Sequence, residues 1–365
     1  MPVRSARALV LERPRELIGR VVPVPAVGDD DALLRVEACG LCGTDHEQYT
    51  GALNPGYAFI PGHETVGVVD EIGSAAALRW GVGRGDRVAV EVFQSCGRCD
   101  ACRSGVYRRC ERHGLADMYG CIPVDKPPGL WGGYAERQYL GPDTLLLPVP
   151  VSLDPAVATL FNPIGAGIRW GVTVPGTQPG DVVAVLGPGV RGLSVAAAAK
   201  EAGAGLVLVT GRGGRDAERL ALAPDFGADI TVDVERGDPV RALRDATGGL
   251  ADVVVDVTAK APAAFAQALA LARPGGTVVV AGTRGVAEAP GFGPDVIVGK
   301  ELRVIGALGV DADAYRAAFD LLTSDRYPFG ELPRRVEGLD DVEELIRTMA
   351  GEGEERAPVH AVLCP

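Results

Sequence analysis

Residues 181–203 read DVVAVLGPGVRGLSVAAAAKEAG. Val182–Leu186 is an unbroken apolar run of the kind buried on both faces of a parallel sheet. A glycine turn follows, and then an alanine-rich stretch that reads as a helix. Gly187, Gly189 and Gly192 keep the Gly-x-Gly-x-x-Gly spacing between strand and helix, the context in which that spacing marks a dinucleotide-binding turn. Gly187 makes the turn, Gly189 lets a pyrophosphate approach the backbone, and Gly192 lets the helix pack on the strand. Val190 and Arg191 complete the turn, with the pyrophosphate at the positive end of the helix.

Downstream, strand and helix patterns alternate. LVLVTG (206–211), ERLALAPDFGAD (218–229), DVVVDVT (252–258), AFAQALALARPGG (264–276) and TVVVAGT (277–283) predict a doubly wound parallel sheet. Upstream, ALLRVEACG (32–40), VGVVDEIG (66–73), DRVAVEV (86–92) and GGYAERQYL (132–140) are short strands bounded by Gly, Pro or Asp. The tail from Val310 mixes two helical stretches with a final strand, PVHAVLC (358–364), which is expected to return to the first domain.

The end of the second Rossmann-type strand bears on cofactor choice. NAD binders usually place Asp or Glu there, about 20 residues beyond the glycine turn, to hold the ribose 2′-hydroxyl. This chain has Gly211, followed by Arg212 and Arg215. A small residue leaves room for a 2′-phosphate and a guanidinium can bind one, so NADP is expected over NAD.

At 365 residues the chain is long enough for two domains, and a net charge of −12 argues against a nucleic-acid partner. No window approaches a membrane span, and the N-terminal stretch carries charges within its apolar residues, unlike a signal peptide. Eight cysteines without an export signal point to a soluble cytoplasmic protein that uses thiols for metal rather than disulfides.

Four of those cysteines, Cys96, Cys99, Cys102 and Cys110, fall in CGRCDACRSGVYRRC. Four thiolates on so short a loop can close a tetrahedron around one Zn2+, leaving no open position for chemistry. A disulfide pair or an iron–sulfur cluster is the competing reading, and the run lacks ferredoxin spacing.

A second constellation joins CGLCGTDHEQYTG (39–51) to PGHETVG (61–67). Cys42 and His63 supply a thiolate and an imidazole suited to zinc. Glu64 is a candidate exchangeable ligand, Asp45 a candidate acceptor for the other imidazole N–H, and Thr44 a hydroxyl for proton relay. Trp80, Trp131 and Tyr119 read as core, while Phe59 and Ile60 are expected to line a substrate cleft.

With these motifs together, the chain resembles the zinc-dependent medium-chain alcohol dehydrogenases, the group that includes threonine, sorbitol and glucose dehydrogenases. The likeness rests on C-G-T-D, G-H-E, the four-cysteine lobe, GGYAE, the glycine turn and RPGGTVVVAGT, and spans nearly the whole length. It implies a GroES-like β-rich catalytic domain (residues 1–155), a Rossmann domain (156–306) and a return to the catalytic domain (307–365). It also implies a site in the cleft, with Cys42, His63 and Glu64 on a catalytic zinc and Thr44 as relay. A homodimer or homotetramer acting on a small alcohol or carbonyl substrate follows from the same likeness.

Two positions depart from the family pattern. LFNPIGAG puts Asn162 where the family has a third zinc ligand, Cys, Asp or Glu, and an amide is a much poorer ligand. Glu47 replaces a relay histidine, with His46 beside it, and surface roles are expected for both. The leading expectation is a zinc-dependent, NAD(P)-linked dehydrogenase that interconverts an alcohol, with a secondary alcohol or polyol favoured, and its ketone or aldehyde by hydride transfer. The alternatives are a reductase of the quinone or enone type without catalytic zinc, using NADPH, and a nonenzymatic NADP-binding sensor.

Overall fold

A computed structural model describes residues 4–285, 287–352 and 355–365. The chain divides into two compact units: Met1–Phe161 with Asp311–Thr323 and Phe329–Pro365, and Asn162–Val310 with Ser324–Pro328. The first unit keeps the Pro155–Ala158 helical turn, and the chain first crosses within the Phe161–Ile168 helix.

The first unit contributes β1 (Ser5–Arg13), β2 (Glu16–Pro23), β3 (Ala32–Leu41), β4 (Glu64–Ile72), β5 (Arg87–Val90), β6 (Arg137–Leu140) and β7 (Leu146–Pro148). The second contributes β8 (Val182–Leu186), β9 (Leu206–Gly211), β10 (Ile230–Asp233), β11 (Ala251–Asp256), β12 (Ala272–Val280) and β13 (Arg303–Gly306). The chain then returns with β14 (Arg334–Glu337) and β15 (His360–Leu363).

In the first unit β1 and β2 form an antiparallel hairpin, and the larger sheet runs β14-β15-β3-β4-β5-β7 with β6 also paired to β3. Adding β15 antiparallel to β3 puts the C-terminal strand beside the strand that ends at Leu41, next to Cys42. The core beneath gathers Leu34, Val88, Tyr119, Tyr134, Leu345 and Ile346. Trp131 and Tyr119 lie in it as expected. So do Phe59 and Ile60, which are fully buried against the hairpin side: Leu11 and Phe59 exchange backbone hydrogen bonds. They are core residues and not cleft lining, because that bridge turns their side chains inward.

In the second unit every neighbouring pair is parallel and the order is β10-β9-β8-β11-β12-β13. Succession moves outward from β8 on one side and resumes at β11 on the other, so the switch in direction lies at the C-terminal ends of β8 and β11, where open α/β sheets bind ligands. Gly187 follows β8 there, and Asp256 ends β11. Burial raises the Asp256 carboxyl above its ordinary value, opposed by hydrogen bonds from Thr258 and a salt bridge from Arg284.

Candidate metal and cofactor sites

Cys42 sits between the end of β3 and the Gly43–Thr50 helix, in extended conformation at the helix N-cap. His63 precedes β4, delivered by a turn at Gly62 with φ of 93°. A side chain at Gly62 would strike the backbone and ring of Tyr134, so that turn requires glycine. The Cys42 Sγ and His63 Nε2 atoms stand 3.4 Å apart. Two ligands at ordinary Zn–S and Zn–N lengths on a tetrahedron are about 3.6 Å apart, so the pair fits zinc.

Asp45 is the third member of this cluster: one of its oxygens lies within 4.8 Å of both the Cys42 and His63 donor atoms. Its role differs from the expected one. Asp45 Oδ2 accepts the Cys42 backbone N–H at 2.8 Å and Oδ1 accepts the Tyr134 hydroxyl at 3.0 Å, so it braces the thiolate ligand's backbone instead of bonding the imidazole. Tyr134 is fully buried, and burial drives its phenol pKa well up, so it remains a donor.

Glu64 is not grouped with the Cys42 and His63 donors. As the first residue of β4 it pairs with Gly40, and its buried carboxylate occupies the space a side chain at Gly40 would need. Thr44 is half-buried in the first turn of the helix. His46 and Glu47, expected at the surface, are each only 8% exposed. His46 Nε2 is 2.9 Å from Glu352, which also receives both terminal nitrogens of Arg15. Those partners pull Glu352 down to about 2, so the histidine is tied to a permanent carboxylate. Asn162 is buried in the Phe161–Ile168 helix and belongs to the second unit.

The four-cysteine lobe is a separate cluster. Its sulfurs all lie within 4.8 Å of one another, and Cys96 and Cys102 are 3.8 Å apart. The edge of a tetrahedron with Zn–S bonds near 2.3 Å is about 3.8 Å, so these sulfurs fit zinc. All eight cysteines are free thiols. Backbone N–H groups of Arg98 and Cys99 lower the Cys96 thiol to about 6, while burial raises Cys102 to about 11. The Tyr107 hydroxyl donates to Glu91 Oε2 at 2.6 Å and ties the lobe to the residue after β5.

In the second unit a side chain at Gly192 would overlap the Gly187 carbonyl, which is why the helix can start so close to the strand. Gly189 caps the Val190–Glu201 helix and has open space where a Cβ would point, as a pyrophosphate-approach position requires. Arg191 lies over the Trp170 ring at 5.6 Å. Gly211 packs against Pro188 of the glycine turn, where a Cβ would come within 2.7 Å of the ring. Arg212 does not point free: Nε and Nη2 contact Glu235 Oε1 at 3.0 and 2.9 Å, because the turn after β10 brings that carboxylate to the helix start. Arg215 is exposed.

Sequence reasoning missed four partners: Tyr134, Glu235, Glu352 and His360. Burial lowers His360 to about 3, so it is neutral; it accepts from Arg334 at Nδ1 (2.8 Å) and faces the Thr159 hydroxyl at 3.0 Å. Tyr134 was visible within GGYAE, whereas nothing short-range marks Glu235 or His360.

A doubly wound unit with a glycine turn at its switch point and a β-rich unit carrying two zinc-compatible clusters, in one chain, define a zinc-binding dehydrogenase. Residues 28–151 match the alcohol dehydrogenase GroES-like domain, and residues 191–324 match the zinc-binding dehydrogenase domain. The chain is 71% identical over 360 residues, 98% of each chain, to a Mycobacterium tuberculosis protein named "Probable alcohol dehydrogenase adh". It is 32% identical to a sorbitol dehydrogenase of Bacillus subtilis, over 88% of this chain and 87% of the relative. A structure from Sinorhizobium meliloti 1021 bound to NADP superposes with a TM-score of 0.84 at 30% identity, covering 99% of this chain and all of that one. The chain therefore belongs to the zinc-dependent medium-chain alcohol dehydrogenases, a family of oxidoreductases. Among the described residues no helix is long and apolar enough to cross a membrane.

Proposed function

We propose that the chain interconverts a secondary alcohol or polyol with its ketone by hydride transfer, with NADP favoured over NAD. The observation that carries this reading is the Cys42–His63 pair, 3.4 Å apart and backed by the buried Asp45. Retention of that pair supports an enzyme over a nonenzymatic NADP sensor. The polyol preference draws on the Bacillus subtilis relative, named a sorbitol dehydrogenase. The proposal extends to a cytoplasmic homodimer or homotetramer with a second, structural zinc in the four-cysteine lobe.

When bound, zinc supplies a Lewis acid that polarises the substrate oxygen, and the nicotinamide supplies the hydride acceptor or donor. The chain's own part is to place and protect these. Cys42 and His63 would hold the metal, and Asp45 fixes the backbone that presents Cys42. The Thr44 hydroxyl would take the proton released by the alcohol and pass it on. Glu47, buried three residues further along the same helix, would be a candidate to receive it.

The neutral Asn162 favours one alternative, a reductase of the quinone or enone type that needs no catalytic zinc. Metal analysis of chelator-washed protein separates the two. About two zincs per chain are expected, falling to about one in Cys42→Ser with loss of alcohol oxidation and an unchanged circular dichroism spectrum. Alcohol oxidation that survives Cys42→Ser would sink the zinc mechanism.

A further inference from the structure

The helix Gly213–Leu222 begins beside the glycine turn, since the Gly187 N–H donates to Thr210 O at 3.0 Å and Gly211 packs on Pro188. Two donors stand at its exposed start, the Arg212 guanidinium and the Gly214 backbone N–H. A guanidinium beside N–H groups at a helix start is a donor set for a phosphate monoester. Here one side chain already engages both. Glu235 Oε1 takes Arg212 Nε and Nη2, and Glu235 Oε2 accepts the Gly214 N–H at 3.3 Å.

We propose that Glu235 is an internal stand-in for the 2′-phosphate of NADP, and that its hold on Arg212 and Gly214 sets how far the chain discriminates between the two nicotinamide cofactors. This rests on the reading above that a dinucleotide lies on the glycine turn with its 2′ substituent at Arg212.

The neighbouring carboxylates have different work. Asp233 Oδ1 accepts the Gly213 N–H at 2.8 Å and the Glu235 N–H at 3.0 Å, and these bonds lower its pKa. It fixes the turn that carries Glu235 and cannot leave without freeing both donors. Asp216 Oδ2 accepts the Arg212 backbone N–H at 3.0 Å, so the Arg212 main chain is held while its side chain can be redirected. Glu235 makes only solvent-facing contacts: its side chain is 41% exposed and that of Arg212 67%. Such a pair is weakly held in water, so a dianionic phosphate can displace it. Displacement leaves the carboxylate next to the incoming charge, and that repulsion falls on NADP alone. The remaining cations nearby, Arg215 and Arg236, are exposed, and Arg236 lies 3.6 Å from Asp233.

The test is calorimetric titration of the wild type, Glu235→Gln and Arg212→Gln with adenosine 2′,5′-bisphosphate and with 5′-AMP, alongside kcat/KM for both cofactors. Glu235→Gln should bind the bisphosphate about fivefold to tenfold tighter and 5′-AMP within about twofold of wild type, with the NADP/NAD ratio of kcat/KM rising in step. Arg212→Gln should weaken the bisphosphate by about tenfold and leave 5′-AMP alone. If Arg212→Gln weakens the bisphosphate and Glu235→Gln does nothing, the proposal falls while the cofactor reading stands. If Arg212→Gln leaves the bisphosphate unaffected, both fall together. Each exchange is at an exposed position, so an unchanged melting temperature shows that the folded protein is being compared.

Discussion

The four cysteines of the lobe come from one short run, whereas Cys42 and His63 stand at the ends of a strand and a loop and meet only because β3 and β4 pair. The lobe closes on itself with four sulfurs from that one run. The Cys42–His63 pair instead depends on outside support: Asp45 beneath Cys42, and Tyr134, 89 residues further along, holding Asp45. A closed set of identical ligands makes a fold element. A sparse, externally braced pair leaves coordination positions for a substrate.

The largest expected effect comes from cutting each cluster in turn. Cys42→Ser should lower kcat/KM for alcohol oxidation by at least about 10³-fold with little change in melting temperature. Cys102→Ser should do the reverse: it removes the lobe's zinc and lowers the melting temperature by roughly 6–12 °C, the size expected for about 3 kcal/mol in a domain of this length. Residual activity measured well below that transition should stay within about threefold of wild type. If both variants lose activity with their folds intact, the division into a reactive and a structural metal is wrong.

A finer break separates the ligand pair from its brace. Tyr134→Phe deletes one hydroxyl and leaves the ring in the core, so the fold should hold. Asp45 then lacks one of its two donors and its grip on the Cys42 backbone loosens. Zinc retention at the reactive site, read by competition with a chromogenic chelator, should weaken by about 10-fold, while the lobe's zinc is released as in wild type. Equal retention at both sites would show that the Tyr134–Asp45 contact carries no load.

This contrast also explains what could be read in advance. The glycine turn and the cysteine run are local: both depend on residue type and spacing over one strand–turn–helix or one loop, which sequence displays directly. Cys42 and His63 were legible because each lies in a tight turn motif of its own. Their bracing was not, since whether Asp45 meets an imidazole or a phenol depends on how β6 and its preceding loop lie against the sheet. Phe59 and Ile60 were misplaced for the same reason: being next to the His63 motif in sequence says nothing of which face a bridge to Leu11 turns inward. The reading of Arg212 rested on residue type alone and did not include Glu235, whose approach is set by the parallel pairing of β10 with β9.

The smallest expected effect tests how the lobe is anchored, and it reads out in pH. Glu91 is fully buried; its oxygens accept the Tyr107 hydroxyl and the Phe93 N–H, and burial outweighs both bonds to push the carboxyl up to about 8. In the unfolded chain the same group titrates near the ordinary glutamate value, about 4.3. Between these two values the folded state holds a proton that the unfolded state has lost. Stability from this group is therefore complete below the unfolded value and declines as pH rises through about 8. The wild-type melting temperature should fall between pH 5 and pH 8 by a few degrees more than that of Glu91→Gln, which keeps the acceptor for Tyr107 and has no charge to bury. At pH 8 the variant should be the more stable of the two. Alcohol oxidation should follow the same pH profile in both proteins, because Glu91 braces the lobe and not the Cys42–His63 pair. A shifted activity profile in Glu91→Gln would mean that the two clusters communicate through the sheet, and that the lobe is more than a fold element.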